Sequence, residues 1–285
     1  MIKSLHDEVN DMDANQMIIV RGGGDMATAV IHRLWRAGFQ VLALETDKPS
    51  AIRRQVAVSE AVYDGKAVVE GMTAVRIPDP GACEDVWNEG NVPLLVDPAG
   101  TCIARLKPAV VIDAMIAKRN LGTHIDMAPL TVALGPGFAA GEDVHAVIET
   151  MRGHNLGRIM YSGCAQPNTG IPGKIGGYAA ERVIHAPHAG VISSVHAIGD
   201  CVQQEETIAV IADGESEYPV KATISGLIRG LIRDGFEVSR GFKIADIDPR
   251  REEYANCFTI SDKARCIAGS VLELVCAHIL RCGND

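Results

Sequence analysis

The stretch from Met17 to Glu45 constrains the fold more than any other part of the chain. Met17-Ile18-Ile19-Val20 is a short apolar run of the kind a buried parallel strand carries. Arg21-Gly22-Gly23-Gly24 follows at once. Residues 27–37 then place Ala27, Val30, Ile31, Leu34 and Trp35 on one helical face. Gly38 ends that helix, and Val41 to Leu44 reads as a second strand. In a strand, glycine turn, helix, strand order, backbone N–H groups at the helix start can approach a pyrophosphate. Gly22-x-Gly24-x-x-Ala27 fits the G-x-G-x-x-G/A spacing. Glu45 closes the second strand about twenty residues later, where an acid holds a ribose hydroxyl. The expected ligand-binding residues are therefore Gly22, Gly23, Gly24, Asp25, Met26, Ala27 and Glu45. Arg53 and Arg54 follow; such a pair either accepts a 2′-phosphate or forms a solvated face.

A chain of 285 residues has room for two domains. Its net charge of −9, without a lysine or arginine block, argues against a nucleic-acid surface. Aromatic residues at 4% argue against base-stacking platforms. There is no apolar run long enough for a membrane-spanning helix. The first sixteen residues are polar and acidic; they read as a disordered extension rather than a signal peptide. Eight scattered cysteines without a C-x-x-C pair suit neither a zinc framework nor a secreted disulfide scaffold, so a cytoplasmic protein is expected. His185-x-x-His188 straddles Pro187 and is too weak a signal for a metal site; none is expected. HExxH, GxSxG and P-loop motifs are absent.

The texture divides the chain into a nucleotide-binding domain over 17–119, a β-rich domain over 120–250 and a C-terminal helix over 251–285 that packs back on the first. In the first part, 55–58 and 68–69 read as short strands and 80–89 as a helix with proline in its first turn. The strands 93–96 and 109–113 end at Asp97 and Asp113, on the sheet edge that carries the glycine turn. From residue 120, Gly and Pro punctuate short apolar runs, including 131–134, 144–150 and 158–161. Over 183–247 an internal repeat appears. Ala186, Gly190, Gly199, Val202, Ile208, Ala209 and Ile211 recur 36 positions later as Ala222, Gly226, Gly235, Val238, Ile244, Ala245 and Ile247. This resembles the two halves of a biotinyl- or lipoyl-like barrel-sandwich. The joint at 213–219 contains no lysine, so no biotin or lipoate is expected. Ser261 and Asp262 suit a helix start, His278 a packed helix face, and Gly283 a helix stop.

Between Asp113 and Pro187 the chain is dense in ionisable groups and glycine. Gly135-Pro136-Gly137 after a strand offers an anion nest. Asp113, Lys118, Glu149 and His154 are the candidate catalytic residues. Together with Gly137 they are expected to line a polar site shared by two domains. The words RGGGDMA, AKRNLGT, GPGFAAGEDVHAVIETMRGHNLGR, PNTGIPG and IAGSVLE, running from Met17 to the C-terminus, resemble the YqeB-type accessory proteins of selenium-dependent molybdenum hydroxylase systems, relatives of XdhC-like maturation factors. The resemblance implies maturation of, or cofactor insertion into, a xanthine dehydrogenase-type hydroxylase. It implies NAD(P) or a molybdenum pterin dinucleotide as ligand, the hydroxylase apoenzyme as partner, and allows a homodimer. Cys164 takes no selenium chemistry. Two other readings stand beside it: an NAD(P)-dependent oxidoreductase, and a non-enzymatic adaptor docking through the barrel-sandwich. The expected fold is an N-terminal Rossmann-like parallel sheet, a β-rich barrel-sandwich (biotinyl/lipoyl-like) domain and a C-terminal helix.

Overall fold

The computed structural model describes residues 17–170 and 173–282. The expected extension at 1–16 and the helix stop at Gly283 lie outside the described residues. Two compact units form. The first comprises Val58–Asn168 with the described parts of Met1–Pro49 and Ile260–Asp285; the second comprises Ser50–Ala57 and Thr169–Thr259.

The first unit is built on one large sheet. In chain order its elements are β1 (Ile18–Arg21), α1 (Asp25–Arg36), β2 (Val41–Glu45), α2 (Ala61–Asp64), β3 (Lys66–Val69), β4 (Met72–Ile77), α3 (Cys83–Asn88), β5 (Val92–Val96), α4 (Ile103–Leu106), β6 (Val110–Asp113), β7 (Leu130–Leu134), β8 (Ala139–Ala140), β9 (Ala146–Ile148), β10 (Ile159–Met160), β11 (Gly163–Cys164) and the helix α5 (Asp262–Cys282). The sheet order is β10-β9-β7-β6-β1-β2-β5-β4-β3, and β8 pairs with β11 outside it. Pairing is parallel from β9 to β4 and antiparallel at both edges. β1 and β6 are buried on both faces, which is why they read as unbroken apolar runs. Ile19, Leu42, Leu44, Leu95 and Val111 share one apolar cluster with Val86 of α3 and Ile103 of α4. α5 packs against α1. Ala264, Ile267, Ala268, Val271, Leu274 and Val275 are its buried residues, a helical stripe. Each fully buried Ile, Val or Leu there contributes about 1.5–3 kcal/mol. The Ser261 hydroxyl caps α5 by accepting from Ala264 N at 3.2 Å.

The second unit holds β12 (Val183–His185), β13 (Gly190–Ser194), β14 (Cys201–Val202), β15 (Thr207–Ala212), β16 (Glu217–Lys221), β17 (Gly226–Leu231), β18 (Glu237–Val238) and β19 (Lys243–Asp248). They form two four-stranded sheets, β12-β19-β17-β14 and β16-β15-β13-β18. The 36-residue repeat governs the pairing. Val191 pairs with Ala212, and its repeat-mate Leu227 with Asp248. Cys201 pairs with Leu227, and Glu237 with Val191, so each copy lends its short strand to the other's sheet. Ile192, Val202, Ile208, Ile211, Ile228, Val238, Ile244 and Ile247 fill the core between them.

Several expectations are corrected here. The N-terminal layer is a nine-stranded mixed sheet rather than a Rossmann-like parallel one. Its strands β7, β9 and β10 come from the stretch expected to open a β-rich domain; β7 pairs parallel with β6. The barrel-sandwich class expected beside it is withdrawn with it, and the second unit stands as two repeat-paired antiparallel sheets. Residues 55–58 are not strand: Arg54–Val56 and Val58–Glu60 are single 3₁₀ turns. Among the described residues no helix is long and apolar enough to cross a membrane.

Candidate functional site

Strand order reverses at β1: the chain fills one side with β2, β5, β4 and β3, then crosses to β6 on the other. In open α/β sheets such a reversal opens a crevice at the carboxyl ends of the two central strands. The loop after β1 is Gly22 to Gly24; the loop after β6 runs from Ala114. The two loops touch. Gly22 has φ +110°, and a Cβ there would lie 3.1 Å from the Ala114 carbonyl and the Met115 Cα. The second loop then closes on Gly137, where a Cβ would lie 2.7 Å from the Arg119 nitrogen. Between these contacts Ile116 (φ 55°) and Lys118 (φ 63°) are held in the left-handed region. For a β-branched isoleucine that is strained, a condition found at functional loops.

Beneath the loops lies a buried charge network. Side chains alternate along strands, so Arg21 shares the sheet face of Ile19, and Asp113 that of Val111. Arg21 is 1% exposed. Its Nη1 donates to the Thr123 hydroxyl at 2.5 Å and its Nη2 to the Pro98 carbonyl at 3.0 Å. Thr123 in turn donates to Asp113 Oδ2 at 2.6 Å. Burial pushes the Asp113 carboxyl above the usual range, opposed by Thr123, the Met115 amide and Arg21. The network ties the strand ends to the loops that follow them.

The glycine turn is partly self-occupied. Gly23 N donates to Glu45 Oε2 at 2.7 Å, and Thr46 N to Glu45 Oε1 at 2.8 Å. Burial raises the Glu45 carboxyl above the usual range, while the two amides pull it down. Gly24 is the N-cap of α1, at φ −67° and ψ −179°, with no side-chain cap. A Cβ built on Gly24 meets nothing within 4 Å. The place a Gly24 side chain would take, beside the first amides of α1, is therefore open. Half-buried Lys263, in the first turn of α5, completes the surroundings. Burial holds its amine below the usual lysine range, with Arg152 adding to this and Asp25 and Glu149 opposing it.

The expected residues divide accordingly. Gly22, Gly23, Gly24, Asp25, Met26, Ala27 and Glu45 form the turn and helix start, with Ala27 buried beneath. Asp113 is a buried network member, and Lys118 sits exposed on the strained loop. Gly135 packs on Thr150 and Gly137 on the loop after β6. Glu149 is 3% exposed; its Oε1 accepts from Met151 N at 2.7 Å and its Oε2 from Gln166 N at 2.8 Å, so it braces two loops. His154 is exposed on the turn before β10. Asp113, Lys118, Gly137, Glu149 and His154 all belong to the first unit rather than being contributed by two. Arg53 and Arg54 belong to the second, where they donate to the carbonyls of Asn256, Thr259 and Leu231 instead of awaiting a 2′-phosphate. Among the described residues no group of three His, Cys, Asp or Glu side chains is placed to hold a metal.

Arg21, Thr123 and Lys263 are the residues that sequence reading missed. A signal for Lys263 existed: a cation in the first helical turn opposes the helix dipole and has no local stabilising role. Arg21 interrupts an apolar strand at its last residue, where a buried charge needs partners.

Comparison with known proteins adds little about activity. No family model matches the chain. A relative described as an uncharacterized protein, YqeB of Escherichia coli (strain K12), is 51% identical over 259 residues, which cover 91% of this chain and 47% of that protein. The chain thus spans about half the length of the curated relative it matches. Among solved structures, the apo form of the ectoine utilization protein EutE (DoeB) from Ruegeria pomeroyi aligns at 10% identity over 81% of this chain and 86% of that one, with a TM-score of 0.26. An aspartoacylase family protein from Mesorhizobium loti aligns at 10% identity over 83% and 86%, with a TM-score of 0.28. A succinylglutamate desuccinylase/aspartoacylase from Rhodobacter sphaeroides aligns at 11% identity over 76% and 61%, with a TM-score of 0.24. Overlaps this low carry no argument about how this chain folds or what it does. The expected reading as an XdhC-like factor for molybdenum hydroxylase maturation is corrected. The matched relative is described without a function, so its description supplies no maturation role.

Proposed function

We propose that the first unit binds a phosphate-bearing small molecule over the start of α1. The observation that carries this reading is the open N-cap at Gly24. Its φ of −67° is available to any residue, so the backbone does not require glycine there. What glycine provides is access: the space a side chain would take is empty. The amides of Gly24, Asp25 and Met26 and the dipole of a 12-residue helix favour an anion at that place. The Lys263 ammonium makes no hydrogen bond or ion pair among the described residues, and it supplies the counter-charge. Because Glu45 holds the Gly23 amide, the phosphate engages the amides that follow. The strained loop that begins at Ala114 lies against Gly22, beside this place.

The test is calorimetry of the full chain with inorganic phosphate, ADP, NAD, NADP and FAD, repeated on Gly24→Val and Lys263→Met. At least one ligand should bind the native protein, with each variant weakening it at least tenfold, about 1.4 kcal/mol. Melting temperatures should stay near native, because neither substitution strains the backbone or opens a cavity. Failure of every ligand on the native protein, or equal binding by both variants, overturns the reading.

A further inference from the structure

A second cleft lies on the other side of β2, at the carboxyl end of β5. Its volume is about 290 Å³, and its lining includes Pro80, Leu95, Asp97, Thr101, Cys102 and Arg105. Asp97 follows the last residue of β5 and shares the sheet face of Leu95. Its Oδ1 accepts from Thr101 N at 3.0 Å and the Thr101 hydroxyl at 3.1 Å; its Oδ2 accepts from Cys102 N at 2.9 Å, and the Cys102 thiol also hydrogen-bonds the carboxyl. Beside these donors the carboxylate still lines the cleft and carries its negative charge there. Arg105 is exposed, and its side chain makes no hydrogen bond or ion pair among the described residues. Asp97 and Arg105 thus face one cleft with opposite charges and do not pair with each other. Leu95 and Pro80 give the cleft an apolar wall. The thiol of Cys102 is pushed up to about 12 by burial and by Asp97, so it stays protonated and unreactive.

We infer that this cleft binds a small α-amino-acid zwitterion, its ammonium on Asp97 and its carboxylate on Arg105. Both charges of such a ligand are met, and a short aliphatic side chain meets the apolar wall. The guanidinium suits a carboxylate through its forked donors. The inference is independent of the phosphate site and needs no reaction.

An amide-resolved NMR titration of the full chain with L-alanine and L-leucine tests it, with propylamine and propionate as single-charge controls. The amides of Thr101 and Cys102 should shift and saturate with a dissociation constant on the order of 1 mM. Each control should bind roughly tenfold more weakly or worse. Arg105→Gln should lose the amino-acid response with an unchanged melting temperature, since the exposed Arg105 side chain has no hydrogen bond or ion pair to lose among the described residues. Asp97→Asn should lose it too, but it weakens the turn that Asp97 braces, so Arg105→Gln is the deciding variant. No shift at these amides, an unaltered titration in Arg105→Gln, or propylamine binding as well as alanine would overturn the inference.

Discussion

Gly226→Ala is expected to unfold the second unit, and Gly190→Ala to do nearly the same. In both cases the new methyl group would be driven into the paired strand: onto the Asp248 carbonyl oxygen for Gly226 and onto the Ala212 carbonyl oxygen for Gly190. Neither neighbour is a side-chain tip that can turn aside. Both are backbone atoms locked in a ladder, Leu227 to Asp248 and Val191 to Ala212. Gly190 carries the added penalty of φ +149°. Relief requires the strands to part, which removes hydrogen bonds and opens the core. A loss of about 3 kcal/mol or more per site follows from overpacking with backbone displacement. Denaturant unfolding read by core fluorescence or amide exchange checks it. Gly214→Ala provides the control: a Cβ there meets nothing within 4 Å, although its φ of +98° carries some strain. If Gly226→Ala loses no more stability than Gly214→Ala, the close approach described for the paired strands is wrong.

Arg21→Met is the second large effect. It deletes the cation from a network in which Thr123 and Asp113 are buried and leaves Asp113 without the charge that favours its ionised form. Removing one partner from a buried ionic group costs about 3–5 kcal/mol, against a total stability of about 5–15 kcal/mol. The pH dependence has a definite sign. The folded Asp113 carboxyl is already raised by burial. Such a group stabilises most below the ordinary carboxylate range, and its contribution is lost as pH rises through the raised value. Without Arg21 that value climbs further, so the variant should lose more stability than the native protein between mildly acidic and neutral pH. Asp113→Asn in the Arg21→Met background removes the buried charge and should restore part of the loss. Denaturant unfolding across that pH range measures both. A variant as stable as the native chain, or one whose deficit shrinks as pH rises, would show that the network is not what holds the strand ends.

The sequence disclosed local structure better than assembly. β1, α1 and β2 were legible because an apolar run, a glycine turn and an amphipathic face each act over a few residues. The repeat was legible for a related reason. Gly190 and Gly226 answer the same steric demand, and the aliphatics 36 positions apart fill one shared core. Sheet membership was not legible. Thr131 to Leu134 and Ala146 to Ile148 are short apolar runs, and nothing local in them says that β7 lies beside β6. Nor does the run Val144 to Thr150 show that its strand β9 is interior and buried on both faces. β4 went unread because Thr73 and Arg76 interrupt its apolar residues, and its buried positions, Met72, Ala74 and Ile77, do not keep a strict alternation. At the site, the glycine turn and Glu45 were visible, but their relation was not: Glu45 turns back onto Gly23. Lys263 comes from the far end of the chain, and its position follows only from how α5 packs on α1.

The most direct measurement is a crystal structure of the full chain with ADP. The diphosphate should lie over the start of α1, within hydrogen-bonding distance of the Gly24, Asp25 and Met26 amides, with the Lys263 ammonium beside it and Glu45 still on Gly23. A diphosphate bound elsewhere on the first unit, or an empty N-cap at saturating ADP with Lys263 turned away from it, would show that the start of α1 is not a phosphate site.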